Sequence, residues 1–104
     1  MSVRMAVYYK QPQDPEMFEK RYVSEHLPLV QAYENIKATS FFKFGRSIVG
    51  TPAYAYVFIA IWDDKDGFKA DMNNPKAAEA TEHAKTLGAE FDVVMLDELD
   101  VWGM

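Results

Sequence analysis

The apolar segment from Ala53 to Trp62 constrains the fold more than any other part of the chain. It is ten residues long, against the roughly 20 that a membrane-spanning helix needs, and its two-residue alternation predicts a strand. One face is aliphatic and the other largely aromatic: Ala55, Val57, Ile59 and Ile61 alternate with Tyr54, Tyr56, Phe58, Ala60 and Trp62. A strand that is apolar on both faces needs cover on both sides.

The rest of the chain predicts three further strands and two helical regions. The other strands are expected at residues 2–10, 37–50 and 91–102, and the helical regions at residues 15–26 and, in two pieces, 65–87. The order is therefore β-α-β-β-α-β. It predicts an α+β, ferredoxin-like sandwich in a single domain, residues 1–104, with an antiparallel sheet and helices on one face.

Polar and proline residues mark where the predicted helices begin and end. Asp14 and Asn74 are suitable N-caps because each precedes a proline, which is tolerated at the first helical position. Gly88 is well placed to end the last helix. Pro28 disfavours helical geometry at the residue before it, so the chain is expected to bend near Leu27 before a short helical piece.

The two-faced strand also predicts an assembly. Two helices cover one face of a sheet, and the aliphatic face is the usual one for helix packing. The aromatic face would then remain exposed in a monomer, as a patch larger than soluble monomers normally carry. A second sheet from another copy would cover it and give a barrel-like homodimer with an apolar cavity, whereas a flattened monomer with an adhesive face is the alternative.

Charge and cysteine content exclude several classes of function. The chain of 104 residues has 11 basic and 16 acidic side chains, a net charge of −5, which argues against nucleic acid and against anionic membrane surfaces as partners. It has no cysteine, so disulfides, zinc–thiolate sites, iron–sulfur clusters and thiol catalysis are excluded. The first residues show no signal-peptide pattern, and we expect a cytoplasmic protein.

The clearest candidate for chemistry lies in the first helix. Phe18, Tyr22 and His26 follow one another at four-residue spacing, so they share one side of a helix, and Pro28 lies just beyond. An imidazole at a helix end beside a phenol suits proton transfer, although a histidine stabilised by the helix dipole alone is the structural alternative. Tyr22 is either a donor to a substrate oxygen or a core aromatic.

Other potential sites are less well supported by the sequence. His83 lies among alanines and charged residues and is expected at the surface. His26, His83 and a carboxylate match no metal-binding spacing, and the chain has no phosphate-binding loop or nucleophile elbow. We therefore expect neither a metal nor a cofactor.

Several of these residues together resemble the EthD family, named for ethyl tert-butyl ether degradation, within the dimeric α+β barrel superfamily. The motif comprises Phe18, Tyr22 and the run from His26 to Val30, followed by the strand AYVFIAIWDD and a helix that begins NPKAAEA. The resemblance implies a homodimeric barrel. It also implies monooxygenase, isomerase, cyclase, dehydratase or decarboxylase chemistry on small cyclic compounds, without metal or prosthetic group, and a functional role for His26.

The resemblance is weaker in two respects. Family members often carry an asparagine–phenylalanine pattern and a glycine pair after the second helix, where this chain reads HAKTLGAEFD. Members are often called reductases, yet the chain has no nicotinamide or flavin fingerprint. Site residues transferred from the second half of the chain are therefore unsupported.

These observations predict a cofactor-free dimeric enzyme, or auxiliary enzyme, acting on a small hydrophobic or cyclic carbonyl-type metabolite. The predicted catalytic residues are His26 and Tyr22, and the predicted substrate-binding residues are Tyr56, Trp62, Phe58 and Phe18. The alternatives are a non-catalytic binding protein for a hydrophobic or heme-like ligand, an EthD-type accessory protein of oxidative degradation, and a purely structural dimer module.

Overall fold

The computed structural model describes residues 2–98 and has the predicted ferredoxin-like architecture. The elements in chain order are β1 (Val3–Tyr9), α1 (Pro15–Arg21), a π-helical turn (Tyr22–His26), α2 (Leu27–Gln31), β2 (Ile36–Lys43), β3 (Tyr56–Trp62), α3 (Lys65–Met72), α4 (Pro75–Ala84) and β4 (Phe91–Leu96). The sheet order is β2-β3-β1-β4, all neighbours are antiparallel, and the helices cover one face. The predicted extension of β4 beyond residue 98 lies outside the described residues.

The predicted helix starts are confirmed, and the strands are shorter than expected. Asp14 accepts a hydrogen bond from the amide of Met17 at 3.1 Å, and Asn74 caps α4 in the same way. Strands β2 and β3 are separated by a loop, residues 44–55, in which Gly50 has a φ of 77°. That left-handed conformation favours glycine and turns the chain between the two strands.

The expected loss of helical geometry at Leu27 is wrong, whereas the short helical piece expected near it is present as α2. Leu27 is helical, with φ −55° and ψ −43°, and its amide bonds to the carbonyl of Tyr22, five residues earlier. Pro28 explains this geometry. It has no N–H to donate to the carbonyl of Ser24, and its ring would clash with that carbonyl in an α-helix. Widening one turn to π geometry avoids the clash, so α1 and α2 are joined through the π-helical turn.

The predicted assignment of the sheet faces is also wrong. The aromatic face of β3 packs under the helices: Tyr56, Phe58, Ala60 and Trp62 are at most 2% exposed. Two of these rings have polar atoms that reach the helix layer. The Trp62 indole N–H donates to the carboxylate of Asp71 in α3 at 2.7 Å, and the Tyr56 hydroxyl donates to Glu19 in α1. The buried residues of α4 are small, namely Ala77, Ala80 and Ala84, which leaves space between this helix and the sheet.

The aliphatic face of the sheet is therefore the one without helices. Val57 and Ile59, in the middle of β3, are only half-buried. Register partners on β2 and β4 extend the apolar surface, with Phe42 54%, Val94 41% and Leu96 37% exposed. This open face is largely apolar, with Arg4 and Ser40 as polar positions in the same register. Within residues 2–98, no helix is long and apolar enough to cross a bilayer.

Asp71 is a buried carboxylate that links three elements. It is 2% exposed and accepts hydrogen bonds from Trp62 at the end of β3 and from both the amide and the side chain of Asn35, just before β2. A buried charge needs such partners, because desolvation without them is costly. The contacts fix α3 against the sheet edge, which helps to position the cavity described below.

Candidate functional site

A cavity of about 150 Å³ lies between the helix layer and the sheet. Its walls are mostly apolar, and β1, α4 and β4 each contribute several side chains. The lining residues are Met5, Val7, Tyr9, His26, Val30, Tyr33, Phe58, Met72, Ala77, Ala80, Thr81, Ala84, Phe91 and Val93. Val93 is 52% exposed, so the cavity opens to solvent at β4, the edge strand.

His26 is a buried titratable side chain in the cavity wall. It is 5% exposed and lies at the end of the π-helical turn, with its ring 4.8 Å from the ring of Tyr22. Burial, and to a smaller extent the neighbouring His83, lowers its pKa from 6.5 to about 4. The ring is therefore neutral at pH 7 and retains one nitrogen lone pair.

The second histidine contacts the first. Nδ1 of His26 lies 3.0 Å from Nδ1 of His83 on α4, and the two ring planes are inclined by only 15° with centroids 5.3 Å apart. Nε2 of His83 lies 3.0 Å from a carboxylate oxygen of Glu25. His83 was expected at the surface, yet its side chain is only 20% exposed. No signal in the sequence links the two histidines, which are 57 residues apart.

Arg21 holds the outer end of this cluster in place. Its guanidinium donates to the carboxylate of Glu25 at 3.1 Å and to the backbone carbonyl of Thr86, just after α4, at 2.8 Å. Arg21, and then His83, lower the pKa of Glu25 below its ordinary value. Arg21 thereby connects the end of α1 to the residues after α4, beside the contact between Glu25 and His83.

Two tyrosines form a second polar group at the cavity. Tyr9 lines the cavity, and its hydroxyl donates to the hydroxyl of Tyr22 at 3.1 Å. Burial raises the pKa of Tyr9 to about 12, and burial together with Tyr9 raises the pKa of Tyr22 further. Both phenols are therefore protonated at pH 7 and act as hydrogen-bond donors. Tyr9 had not been predicted as a site residue.

The structure brings only some of the predicted site residues to the cavity. His26 and Phe58 line it. Tyr22 is not part of the lining and stacks on Phe41 with ring centroids 4.1 Å apart. The other three predicted residues also lie outside the lining: Phe18, Tyr56 and Trp62. These three pack in the aromatic core between helices and sheet. In the described part of the chain, no three His, Cys, Asp or Glu residues are arranged to bind a metal ion.

Solved structures of other proteins share this fold. The solved structure of an ethyl tert-butyl ether degradation (EthD) family protein from Bacillus halodurans superposes with a TM-score of 0.84 at 19% identity, over 95% of this chain and all of the other. SnoaB from Streptomyces nogalater, a cofactor-independent oxygenase, gives 0.73 at 13% identity over 99% and 98% of the two chains. The ferredoxin-like fold inferred with the EthD resemblance is therefore confirmed.

A third solved structure and a sequence relative complete the comparison. A dimeric ferredoxin-like protein from Thermobifida fusca gives a TM-score of 0.69 at 18% identity over 94% and 92% of the two chains. The 11.0 kDa protein of the thcB–thcC intergenic region of Rhodococcus erythropolis is 30% identical over 90 residues, which cover 85% of this chain and 82% of the relative. The chain belongs to the same family as this Rhodococcus protein. No family model matches the chain.

Proposed function

We propose that this protein is an enzyme that moves a proton on a small single-ring compound, with His26 as the acid–base residue. The observation that carries the proposal is a buried imidazole in the wall of an apolar cavity, with one ring nitrogen engaged by His83. A histidine that only stabilised a helix end would not need to line a cavity. General acid–base catalysis by a positioned imidazole contributes about 10²–10⁴-fold to a rate.

Cavity size and lining indicate the class of substrate. An apolar cavity of about 150 Å³ is the size that accommodates a benzene ring. The polar groups at its wall include the imidazole of His26 and the hydroxyl of Tyr9. The expected substrate is therefore a single-ring compound with one oxygen function, a carbonyl or a phenol, next to the proton that is removed.

The proposed step is a proton abstraction. A lone pair of His26 accepts a proton from a C–H adjacent to a carbonyl, or from a phenolic O–H, and the electron pair stays on the substrate as an enolate or phenolate. Tyr9 donates a hydrogen bond to the oxygen that becomes negative. Without substrate, the Tyr9 hydroxyl donates to the hydroxyl of Tyr22. When Tyr9 donates to the substrate instead, the direction of that bond reverses and Tyr22 donates to Tyr9, because a hydroxyl can both donate and accept.

Comparison with solved structures supports catalysis on this fold. SnoaB is a cofactor-independent oxygenase of the same architecture. An oxygenase of this architecture that works without a cofactor supports our proposal that this chain acts through its own side chains. At 13% identity the likeness gives the fold and not the substrate, which we infer from the cavity alone.

We also infer that two copies pair through their open sheet faces. The surface formed by Val57, Ile59, Phe42, Val94 and Leu96 is apolar and only partly buried in one chain. Surfaces of this kind normally mark an interface. The Thermobifida structure is that of a dimeric ferredoxin-like protein, which supports the same arrangement for this chain. The expected interface is the aliphatic face rather than the aromatic one.

Isomerisation of cyclohex-3-enone to the conjugated cyclohex-2-enone tests the proposed function. The probe is a single-ring ketone, its reaction consists of removing a proton from C2 and returning one to C4, and the product absorbs strongly in the ultraviolet. We expect the protein to accelerate the reaction over buffer. Ala80→Leu, which fills the cavity, should abolish the acceleration, whereas Ala78→Leu on the exposed face of the same helix should not.

Two results would overturn the proposal. One is a rate with protein equal to the rate in buffer at saturating probe. The other is an Ala80→Leu variant that is folded by circular dichroism and as active as Ala78→Leu, because the reaction would then take place outside the cavity.

A further inference from the structure

Three side chains connect the cavity wall to solvent. His26 is 5% exposed, the side chain of His83 is 20% exposed, and that of Glu25 is 46% exposed. The successive contacts, Nδ1 to Nδ1 and Nε2 to carboxylate, are both 3.0 Å. The histidine pair therefore has one end in the apolar cavity and the other beside a solvated carboxylate that Arg21 holds in place.

The Glu25 carboxylate determines which ring nitrogens of His83 and His26 carry the protons. A carboxylate only accepts hydrogen bonds, so Nε2 of His83 carries its proton toward Glu25. In neutral His83, Nδ1 then carries a lone pair, and it accepts a hydrogen bond from Nδ1–H of His26. That leaves Nε2 of His26 unprotonated. Among residues 2–98, no hydrogen bond is made to this nitrogen, which leaves it available to a molecule in the cavity.

We propose that His26 and His83 act as one paired base, in which His83 is a positioning residue that fixes the tautomer of His26 and takes over the positive charge. When Nε2 of His26 accepts a proton from the substrate, its Nδ1 proton moves to Nδ1 of His83. His26 remains neutral in the other tautomer, and His83 becomes an imidazolium beside Glu25. The inference rests on the proposed function and extends it to residues that the sequence did not indicate.

Charge placement explains why the pair is needed. A buried imidazolium in an apolar wall is unfavourable, which makes an isolated His26 a weak base. His83 faces Glu25 and His26 from the π-helical turn, and Arg21 from α1 lies on the far side of the Glu25 carboxylate. The Glu25 carboxylate is therefore in direct contact with His83, at the place where the proposed transfer puts the positive charge.

Nitrogen NMR of the two imidazoles tests the inference without any substrate. At pH 7.5 we expect His26 as the Nδ1–H tautomer and His83 as the Nε2–H tautomer. On acidification we expect His26 to stay neutral until the pH approaches 4. The inference is overturned if His26 carries its proton on Nε2, or if His26 is the first ring to become an imidazolium.

A matched pair of variants tests the transfer itself. Glutamine at position 83 can accept from Nδ1–H of His26 but cannot take up a proton. We expect His83→Gln to retain the His26 tautomer and the KM for cyclohex-3-enone while lowering kcat at least tenfold, and His83→Ala to be partly rescued by added imidazole. Glu82→Gln, at an exposed carboxylate one residue earlier, is the control.

The kinetic and NMR outcomes separate the two proposals. An unchanged kcat in His83→Gln, with the His26 tautomer retained, would overturn the paired base and leave His26 as a single base. A wild-type protein that does not accelerate the reaction at all would overturn the proposed function, while the tautomers and the order of protonation would still decide whether the pair exists.

Discussion

The Nδ1 atoms of His26 and His83 lie 3.0 Å apart, although the two residues are separated by 57 positions in the sequence. The contact joins the π-helical turn to α4 and places the only two histidines of the chain in one hydrogen-bonded cluster. One ring lines an apolar cavity and the other contacts a carboxylate. This geometry is the basis for assigning acid–base chemistry to the cavity.

Burial of His26 makes the stability of the protein depend on pH. The folded chain binds a proton at His26 with a pKa of about 4, whereas the ordinary value is 6.5. Between these values the unfolded chain binds more protons, so the stabilisation is complete above about pH 6.5 and is lost as the pH falls toward 4. We expect a contribution of at most about 3 kcal/mol.

The measurement is urea unfolding at pH 7.5 and pH 4.5 for the wild-type protein and for His26→Gln. The free energy of unfolding should fall further in the wild type than in the variant. Equal decreases in the two proteins would mean that His26 is not held neutral by its surroundings.

Removal of the Asp71 carboxylate should destabilise the fold. Asp71→Ala leaves the buried indole N–H of Trp62 and two donors of Asn35 without their acceptor. We expect a loss of about 2–3 kcal/mol in the free energy of unfolding, measured in urea. Asp66→Asn, at an exposed position in the first turn of the same helix, should change it by less than about 0.5 kcal/mol. Similar values for both variants would contradict the role given to Asp71.

The open face of the sheet predicts the effect of a charged substitution. Ile59→Glu places a carboxylate in the middle of the proposed interface, where it would be desolvated without a partner. The wild type should sediment as a dimer and Ile59→Glu as a monomer in analytical ultracentrifugation. Met17→Glu, on α1 and already 50% exposed, should remain dimeric. A wild type that sediments as a monomer would refute the pairing.

Removing the hydroxyl of Tyr9 should lower kcat, whereas removing a tyrosine hydroxyl elsewhere should not. Tyr9→Phe removes the hydroxyl that would stabilise a developing oxyanion, and we expect kcat for cyclohex-3-enone to fall about 10–100-fold. Tyr54→Phe should leave kcat unchanged, because that hydroxyl donates to Asp92, outside the cavity lining. If Tyr9→Phe raised KM alone, Tyr9 would bind the substrate without stabilising the transition state.

Local sequence signals were sufficient to predict most of the fold. Alternation marked the strands, and the N-caps Asp14 and Asn74 marked two helix starts, because these features depend on neighbouring residues only. The sheet faces were assigned the wrong way round. That choice depends on contacts across the chain, such as the bond from Trp62 to Asp71 and the space beside the alanines of α4.

The candidate site was predictable only in part, for the same reason. His26 could be identified from its helix position and neighbours. His83 and Tyr9 could not, because their roles come from packing α4 and β1 against the π-helical turn. The turn itself follows from Pro28, yet proline at a helix also permits a break, and the sequence does not decide between the two.

The most direct test of the central claim is the rate of cyclohex-3-enone isomerisation by His26→Ala. Wild type, His26→Ala and the surface control Glu79→Gln are compared at pH 7.5, after circular dichroism has established that all three are folded. We predict that His26→Ala loses at least about 10²-fold in kcat while Glu79→Gln matches the wild type. A kcat for His26→Ala equal to that of the wild type would contradict the assignment of His26 as the base.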